Sequence, residues 1–339
     1  MNKIKYILRV LSGASFDKMK SSINQVHERT NKNKFLIFCS MIYCSFRYGA
    51  GYNDYLMFGF YDMNHDHRKT YMTRLKNKRL IMLLNDPAYS HVFDMKNVFN
   101  RRFKDYLKRD FFDVEKENEE DFIKFIENKE FVFAKPNTGV SGKGIEKLNK
   151  NDFVSISEMY QYIKQPEKDF GVIEESIVQH PELNVLYPNA INTLRVVTIV
   201  INNKAHLAYA VIKMGAGGKF VDNLENGGMF CPVDIDTGNI TGVGHTSKLT
   251  TNEIHPDTNV KLVGFHVPLV KEAIDLCLKA AMEVEQIKFS GWDVAITPQG
   301  PCIVEGNDYP GYDFWQQPEH TPDRIGLFPF YQSLIPGLK

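Results

Sequence analysis

The sequence predicts an α+β fold, and three observations support this. Short apolar runs rich in β-branched residues recur from residue 131 onward and predict strands. Among them, one long stretch, residues 268–287, carries a clear helical stripe of apolar residues. A glycine-rich loop, residues 136–144, separates the first two predicted strands. Strands that alternate with a few helices indicate an α+β body.

The composition is that of an ordinary globular protein. The 339 residues are 43% hydrophobic and 24% charged, and the length allows two or three domains or lobes. The formal net charge is zero, so no global basic character points to nucleic acid. The five cysteines are odd in number and form no CxxC motif, which fits a reducing compartment. We therefore expect a cytoplasmic protein.

The N-terminal third, residues 1–112, is predicted to be a helical and aromatic-rich region. Its first 34 residues hold eight Lys or Arg against two acidic residues. This segment either lies on the anionic inner face of a membrane or packs on its own domain with solvated charges, and the second is favoured. Residues 35–46 are apolar but too few to span a bilayer, so they predict a buried helix.

The predicted strands follow in order. After the N-terminal region they fall at residues 131–135, 145–148, 171–178, 194–201 and 205–213. A loop rich in Gly, Asn and Asp, residues 215–228, comes next, and the helix at 268–287 leads to a final hairpin.

The loop at residues 136–144 has the features of an anion-binding flap. Repeated glycines, among them Gly142 and Gly144, free the backbone to wrap an anion with its N–H groups. It is not a Walker A loop, because a strand rather than a helix is predicted to follow. Lys135 and Lys143 could each reach phosphate oxygens, although either alone could be an ordinary surface lysine.

A short apolar strand then runs into a pair of acids, Glu174 and Glu175, followed by Ile177. This pattern is similar to a hinge whose backbone groups read an adenine edge. Glu182 could accept hydrogen bonds from ribose hydroxyls. Two exposed glutamates at a strand end are the simpler alternative.

The final hairpin joins two short strands, residues 292–297 and 301–305. The intervening residues 298–300, Pro-Gln-Gly, suit a three-residue loop. If Thr297 then faces Pro301, counting back places Asp293 opposite Glu305.

Asn307 follows two residues after Glu305 and therefore falls on the same face as the two acids. Opposed carboxylates destabilise a hairpin unless a cation lies between them. A divalent ion with oxygen ligands, Mg²⁺, would satisfy this need. The alternative is a splayed surface hairpin with solvated acids.

In this order the motifs resemble those of the ATP-grasp superfamily. The match runs from FAKP through TGVSGKG and EESI to Asp293…Glu305-x-Asn307, over residues 129–310. The stretches NTLRVVTIV and KMGAGGKFVDNLENGGMFCPVD resemble ribosomal-protein glutamate ligases and, more closely, sugar-transfer-associated ATP-grasp proteins. The resemblance implies two α+β lobes that clamp ATP, within a domain at 113–339. The flap lobe would cover 129–178 and the catalytic lobe 179–339.

The resemblance also implies residue roles. Lys135, Gly142, Lys143 and Gly144 would bind phosphates, Glu174, Glu175 and Ile177 the adenine, and Glu182 the ribose. Asp293, Glu305 and Asn307 would bind Mg²⁺. Arg195 and Lys213 are candidates for stabilising an acyl phosphate and its tetrahedral successor, while Asn223, Gly227 and Gly228 would shape an acceptor pocket.

The resemblance implies an ATP-dependent carboxylate–amine ligase. The likeness to the sugar-transfer-associated proteins further implies that it joins an amino acid to a sugar acid or polysaccharide precursor. Two alternatives remain: a phosphotransferase acting on a hydroxyl, and a nucleotide-binding subunit of a glycan-assembly complex without turnover. The sequence identifies neither substrate nor oligomeric state.

Overall fold

A computed structural model gives the fold and describes residues 16–139 and 142–338. The chain forms two compact units. One joins the chain up to Leu83 with the segment from Gly311, and the other is Leu84–Pro310. Residues 1–15 of the basic N-terminal segment lie outside the described residues.

The first unit is helical. Its helices are α1 (Phe16–Thr30), α2 (Lys34–Tyr48), α3 (Tyr52–Met57), α4 (His65–Arg68), α5 (Arg74–Leu84) and, near the C-terminus, α13 (Phe328–Leu334). Buried aromatic rings form its centre: Phe58 and Phe60 each contact Tyr71, with ring centroids 5.2 and 5.5 Å apart. The prediction of a helical, aromatic-rich N-terminal region is confirmed.

Helix α2 contains the apolar run at residues 35–46, and the prediction of a buried helix is only half right. Ile37, Met41 and Cys44 are buried, whereas Phe35 and Phe46 are exposed. Asn33 caps the first turn through its side-chain oxygen and Gly49 ends the helix in the left-handed conformation. Local propensity therefore fixed the helix, but one of its apolar faces is exposed.

Two antiparallel sheets make up the framework of the second unit. Its helices are α6 (His91–Asp94), α7 (Lys96–Arg102), α8 (Lys104–Leu107), α9 (Glu119–Ile126), α10 (Ile156–Ile163), α11 (Pro181–Leu186) and α12 (Val270–Ala280).

The smaller sheet has four strands in the order β1-β4-β2-β3. They are β1 (Phe111–Asp113), β2 (Phe131–Pro136), β3 (Glu146–Asn149) and β4 (Phe170–Glu174). Phe112, Phe122 and Ile173 belong to the core that α9 and α10 form against this sheet. The strand predicted for 171–178 ends at Glu174, so the hinge segment leaves the sheet directly after that residue.

The larger sheet has seven strands in the order β11-β10-β5-β6-β7-β8-β9. They are β5 (Thr193–Ile201), β6 (Lys204–Met214), β7 (Met229–Pro232), β8 (Gly244–Thr246), β9 (Thr251–Asn252), β10 (Phe289–Thr297) and β11 (Gly300–Asn307). Strand β10 is buried from Phe289 to Ile296, as expected of a strand that is covered on both faces.

Helix α12 packs its apolar side, including Ala273 and Cys277, into the core that holds Trp292. It is shorter than the predicted 268–287. Leu269 has a left-handed φ of 55° before the first turn, and the helix ends at Ala280. Val284 of the predicted stripe is buried although it lies beyond the helix. No helix among the described residues is long and apolar enough to cross a membrane.

Candidate functional site

The β10–β11 hairpin brings the two predicted acids together, though by a different route from the predicted one. Thr297 pairs with Gly300, not with Pro301, so the turn has two residues rather than three. A β-bulge then restores the pairing of Asp293 with Glu305, because Val304 is an extra residue on β11. The predicted pairing is confirmed, and its predicted loop is wrong.

Asp293 is buried and bound by two cationic side chains. Arg195 on the neighbouring strand β5 donates from Nε to Oδ1 at 2.6 Å and from Nη2 to Oδ2 at 2.9 Å. Lys213 on β6 donates to Oδ2 at 3.0 Å. Although burial raises the pKa of Asp293, Arg195 and Lys213 outweigh this and lower it to about 2. The sequence argument considered only a bound ion between the acids, whereas the protein itself supplies cations to one of them.

Glu305 has a different environment from its partner. The residue is exposed and lines a cavity that is described below. Neighbouring protein atoms and the charge of Asp293 raise the pKa of Glu305. A second cation near Glu305 would therefore be favourable.

Asn307 lies beside Arg195. With its amide oxygen turned toward Arg195, it accepts a hydrogen bond from Nη1 at 2.7 Å. Its amide nitrogen then donates to the carbonyl oxygen of Tyr309 at 3.1 Å. Arg195 thus contacts two of the three predicted metal ligands, Asp293 and Asn307.

Lys135, at the end of β2, is held by a buried carboxylate. Its Nζ lies 2.6 Å from Oε2 of Glu174, which also accepts from Nε of Arg109 at 3.0 Å. Asn100 donates to the other oxygen, Oε1, at 2.7 Å. Although burial raises the pKa of Glu174, Arg109 and Lys135 hold it well below its usual range. Glu174 therefore presents its carboxylate to Lys135 and not to open space.

Arg109 connects this lysine to the carboxylate hairpin. Its Nη1 donates to the carbonyl oxygen of Ile303 at 2.6 Å and its Nη2 to that of Val304 at 3.1 Å. Val304 is the bulge residue that brings Glu305 opposite Asp293. One buried guanidinium thus contacts both the partner of Lys135 and the backbone that precedes Glu305.

A cavity of about 160 Å³ lies between these groups. Six of the predicted site residues line it: Lys135, Gly142, Lys143, Asn223, Asp293 and Glu305. Lys96, the first residue of α7, also lines it and donates to the carbonyl oxygen of Gly139 at 3.1 Å. Burial lowers the pKa of Lys96. The cavity lining therefore combines lysines from β2, the flap and α7 with carboxylates from the larger sheet.

The last residue of the flap, Gly144, has a backbone conformation that favours glycine. Gly144 has a φ of 76°, and a Cβ at this position would lie 2.8 Å from Cγ of Pro136. The left-handed backbone and this close approach both exclude larger residues. Gly144 thereby returns the chain toward β2 behind Lys143.

The predicted acceptor residues lie along the loop after β6. Asn223 lines the cavity and precedes a 3₁₀ turn, Leu224–Asn226. Gly227 ends this turn at a φ of 97°, and Gly228 donates from its backbone N–H to the carbonyl oxygen of Asn223 at 3.2 Å. The two glycines thus shape the turn, and Asn223 faces the cavity.

Ten predicted residues do not line the cavity: Gly144, Glu174, Glu175, Ile177, Glu182, Arg195, Lys213, Gly227, Gly228 and Asn307. Glu175 accepts from the backbone N–H of Asp110 at 3.1 Å, Ile177 is half-buried, and Glu182 is exposed in the first turn of α11. Gly144, the last residue of the flap, does not line the cavity. The roles proposed for Glu174, Glu175, Ile177 and Glu182 beside adenine and ribose stay predictions.

Sequence reasoning missed three residues of this site: Lys96, Arg109 and Asp222. Asp222 is buried, accepts from the backbone N–H of Thr193 at 3.1 Å and lies 3.5 Å from Nζ of Lys213. It could have been suspected from its position in the polar loop that also supplied Asn223. No local sequence motif indicates the role of Lys96 or Arg109, because the groups that they contact lie far away in the sequence.

The ion pairs of Asp293 predict a pH dependence of stability. Its folded pKa of about 2 lies below the ordinary 3.8, so its ionised form stabilises the folded state above about pH 4. This contribution, about 2 kcal/mol, should be lost as the pH falls from about 4 to about 2. We expect the difference in unfolding free energy between wild type and Asp293→Asn to shrink over this range in urea titrations. A difference that stayed constant with pH would contradict the assignment.

A divalent cation fits the acids at the hairpin. Glu305 lines the cavity, and its raised pKa indicates that its negative charge is unfavourable there without a cation. Carboxylate oxygen is also the ligand atom that Mg²⁺ prefers. Asp293 and Asn307 are adjacent but share their oxygens with Arg195. Among the described residues, no group of three or more His, Cys, Asp or Glu side chains is placed to hold a metal. Any site here therefore depends on the pair Asp293 and Glu305, with amide or non-protein ligands.

Comparisons with known proteins place the chain in a family. A family model described as sugar-transfer associated ATP-grasp matches residues 75–322. A comparison with curated proteins gives no match.

Solved structures give a distant likeness. The ATP-grasp ligase PsnB complexed with minimal precursor has 14% identity and a TM-score of 0.41, with 74% of this chain and 64% of that chain covered. D-alanyl-alanine synthetase A from Vibrio cholerae has 14% identity and a TM-score of 0.42, with 74% and 65% covered. D-alanine–D-alanine ligase from Bacillus anthracis complexed with ATP has 12% identity and a TM-score of 0.41, with 72% and 65% covered.

The chain thus spans less than two thirds of the length of each of these proteins. At such identities and TM-scores the likeness adds nothing about activity or substrate. The family model, in contrast, spans most of the chain and includes both sheets and the cavity between them. This chain belongs to the sugar-transfer associated ATP-grasp family.

Proposed function

We propose that the chain is an ATP-dependent, ADP-forming carboxylate–amine ligase. The observation that carries this proposal is the cavity that Lys96, Lys135 and Lys143 line together with Asp293 and Glu305. Lysines opposite a pair of carboxylates suit a polyphosphate and its divalent cation. Membership of an ATP-grasp family supports a nucleotide as the source of that polyphosphate.

Basic residues of the chain would bind the phosphates, and acidic and amide residues would bind the cation. Lys135, which Glu174 holds in place, and the flap residue Lys143 would neutralise phosphate oxygens, with Lys96 as a third cation. Glu305, Asp293 and Asn307 would hold Mg²⁺. A bound Mg²⁺ would neutralise the negative charge on the transferred phosphoryl group.

The proposed reaction has two displacements. A carboxylate oxygen attacks the γ-phosphorus, the bond to the β-phosphate oxygen breaks, and ADP leaves. An amine nitrogen then attacks the acyl carbon, inorganic phosphate leaves, and the amine loses a proton to give an amide. Arg195 and Lys213 contact Asp293 directly, so we assign them first to holding that acid in place. Their second proposed role is to stabilise the negative charge on the acyl phosphate.

The association of the family with sugar transfer supports an amino acid and a sugar acid or polysaccharide precursor as substrates. We further propose a cytoplasmic site of action, since the five cysteines are unpaired thiols. Asn223 is the residue that we assign to the acceptor, because it lines the cavity beside Asp222.

The test is an ADP-release screen with Mg²⁺ that pairs amino acids with uronic-acid sugars. A ligase releases ADP only when a carboxylate and an amine are both present, and mass spectrometry then finds their amide. ADP release with one hydroxyl acceptor and a phosphorylated product would favour a phosphotransferase instead. Nucleotide binding in calorimetry without turnover under any pairing would favour a non-catalytic subunit of a glycan-assembly complex.

A further inference from the structure

Helix α2 presents an apolar stripe to solvent. The stripe consists of Phe35, Leu36, Cys39, Tyr43 and Phe46, and we call it the outer stripe. Phe35 and Leu36 are 69% and 64% exposed, and Tyr43 and Phe46 are 51% and 53% exposed. Spacings of four, four and three residues place Phe35, Cys39, Tyr43 and Phe46 on one side of a helix. This is a continuous surface and not a set of scattered apolar residues.

The opposite side of α2 is also apolar. Ile37, Met41, Cys44 and Tyr48 are buried in the first unit. A helix that is apolar all round is normally covered on all sides, either by protein or by lipid. Since α2 has 15 residues and is about 22 Å long, it cannot span a bilayer but can lie along its surface.

The charges around the outer stripe are all of one sign on this helix. Helix α2 contains no Asp or Glu, and its exposed residues other than the stripe include Lys34 at the first position and Arg47 in the last turn. An apolar stripe with a cation at each end complements a surface that is apolar beneath and anionic above.

A second copy of the chain is a poorer partner for this helix. In a two-fold symmetric contact, antiparallel α2 helices would bring Lys34 of one copy near Arg47 of the other. Parallel helices would bring each cation near its own counterpart. Either arrangement opposes like charges, and α2 has no acid to relieve them.

We propose that the outer stripe of α2 docks on an anionic phospholipid surface. The aromatic and aliphatic side chains would enter the interfacial layer, and Lys34 and Arg47 would lie among the phosphate headgroups. Phe and Leu are the residue types that amphipathic interfacial helices bury there, and Tyr suits the boundary. The basic segment that the sequence analysis singled out lies next to this helix in the chain. The inference does not depend on the proposed ligase activity.

The test is vesicle flotation of the full chain without nucleotide. We expect the protein to float with vesicles of equal parts phosphatidylcholine and phosphatidylglycerol, and to float less with phosphatidylcholine alone or in high salt. The Phe35→Ser/Phe46→Ser variant should bind at least about tenfold more weakly, because two apolar side chains no longer transfer from water. The Lys34→Ala/Arg47→Ala variant should lose the preference for the anionic lipid.

A matched control separates the stripe from general surface hydrophobicity. Val154 and Ile254 are exposed apolar residues of the second unit, and Val154→Ser/Ile254→Ser should float as wild type does. Circular dichroism should show that every variant keeps its helical signal. Equal flotation of wild type and Phe35→Ser/Phe46→Ser would overturn the proposal.

A fluorescent variant identifies what covers the stripe. The emission of the new tryptophan in Tyr43→Trp, measured as the difference from the wild type with its two native tryptophans, should shift to shorter wavelength when anionic vesicles are added, because the new side chain leaves water. If the emission is already shifted without vesicles and does not change on their addition, a segment of this chain or a second copy covers the stripe. Light scattering would distinguish these two, and either result would overturn the proposal.

Discussion

Glu305→Gln is expected to abolish nucleotide turnover, lowering ADP release by roughly two to three orders of magnitude. The substitution keeps the shape of the side chain and removes the negative charge that would hold the divalent cation. Both acids line the cavity, but Glu305 is exposed whereas Asp293 is buried and bound by Arg195 and Lys213, so a cation would depend on Glu305 most directly. The measurement is ADP release under the conditions that support wild-type turnover.

The same variant should not lose stability. The folded-state pKa of Glu305 is raised, so its ionised form disfavours the folded state at neutral pH. Glu305→Gln should therefore unfold at a denaturant concentration equal to or above that of the wild type. Loss of activity together with unchanged or increased stability would identify a functional charge.

Glu272→Gln is the matched control, because Glu272 is an exposed residue of α12 with the same chemistry. It should leave both turnover and the unfolding midpoint unchanged. Wild-type turnover in Glu305→Gln would contradict the metal assignment and with it the proposed ligase mechanism.

Arg109→Met is expected to have the largest effect on stability, a loss of about 3–5 kcal/mol in the free energy of unfolding. Its guanidinium is buried and contacts the carboxylate of Glu174 and the carbonyl oxygens of Ile303 and Val304. Met has a similar length but no donor, so two carbonyl oxygens would lose their partner and Glu174 would keep only Lys135 and Asn100. Urea unfolding monitored by circular dichroism measures the change.

Two further variants make this test specific. Arg79→Met replaces an exposed arginine and should change the unfolding free energy by no more than about 0.5 kcal/mol. Glu174→Gln should itself be destabilising, but its combination with Arg109→Met should cost less than the sum of the two, since both remove one shared interaction. Additive effects would show that Arg109 and Glu174 do not act as a pair.

The sequence alone predicted the elements whose causes are local. Strands β2, β5 and β6 lie within one residue of their predicted ends, because apolar β-branched runs bounded by turn residues specify strands without reference to distant parts of the chain. The pairing of Asp293 with Glu305 was also predictable, since both lie in one hairpin. The turn was misjudged because a bulge on β11 compensates for a loop that is one residue shorter, and no local pattern reveals such compensation.

The sequence did not predict which side chains would meet across long separations. Asp293 is bound by Arg195 and Lys213, 98 and 80 positions away, and Arg109 reaches Ile303 over 194 positions. Strand order and the free-energy cost of leaving a buried charge unpaired determine which side chains pair in this way. Neither can be inferred from local sequence periodicity. The sequence therefore determined strands β2, β5 and β6, the loop between β2 and β3, the paired acids and the apolar character of α2. The tertiary structure decided which cations bind Asp293, how Lys135 is held, and which face of α2 was left open to solvent.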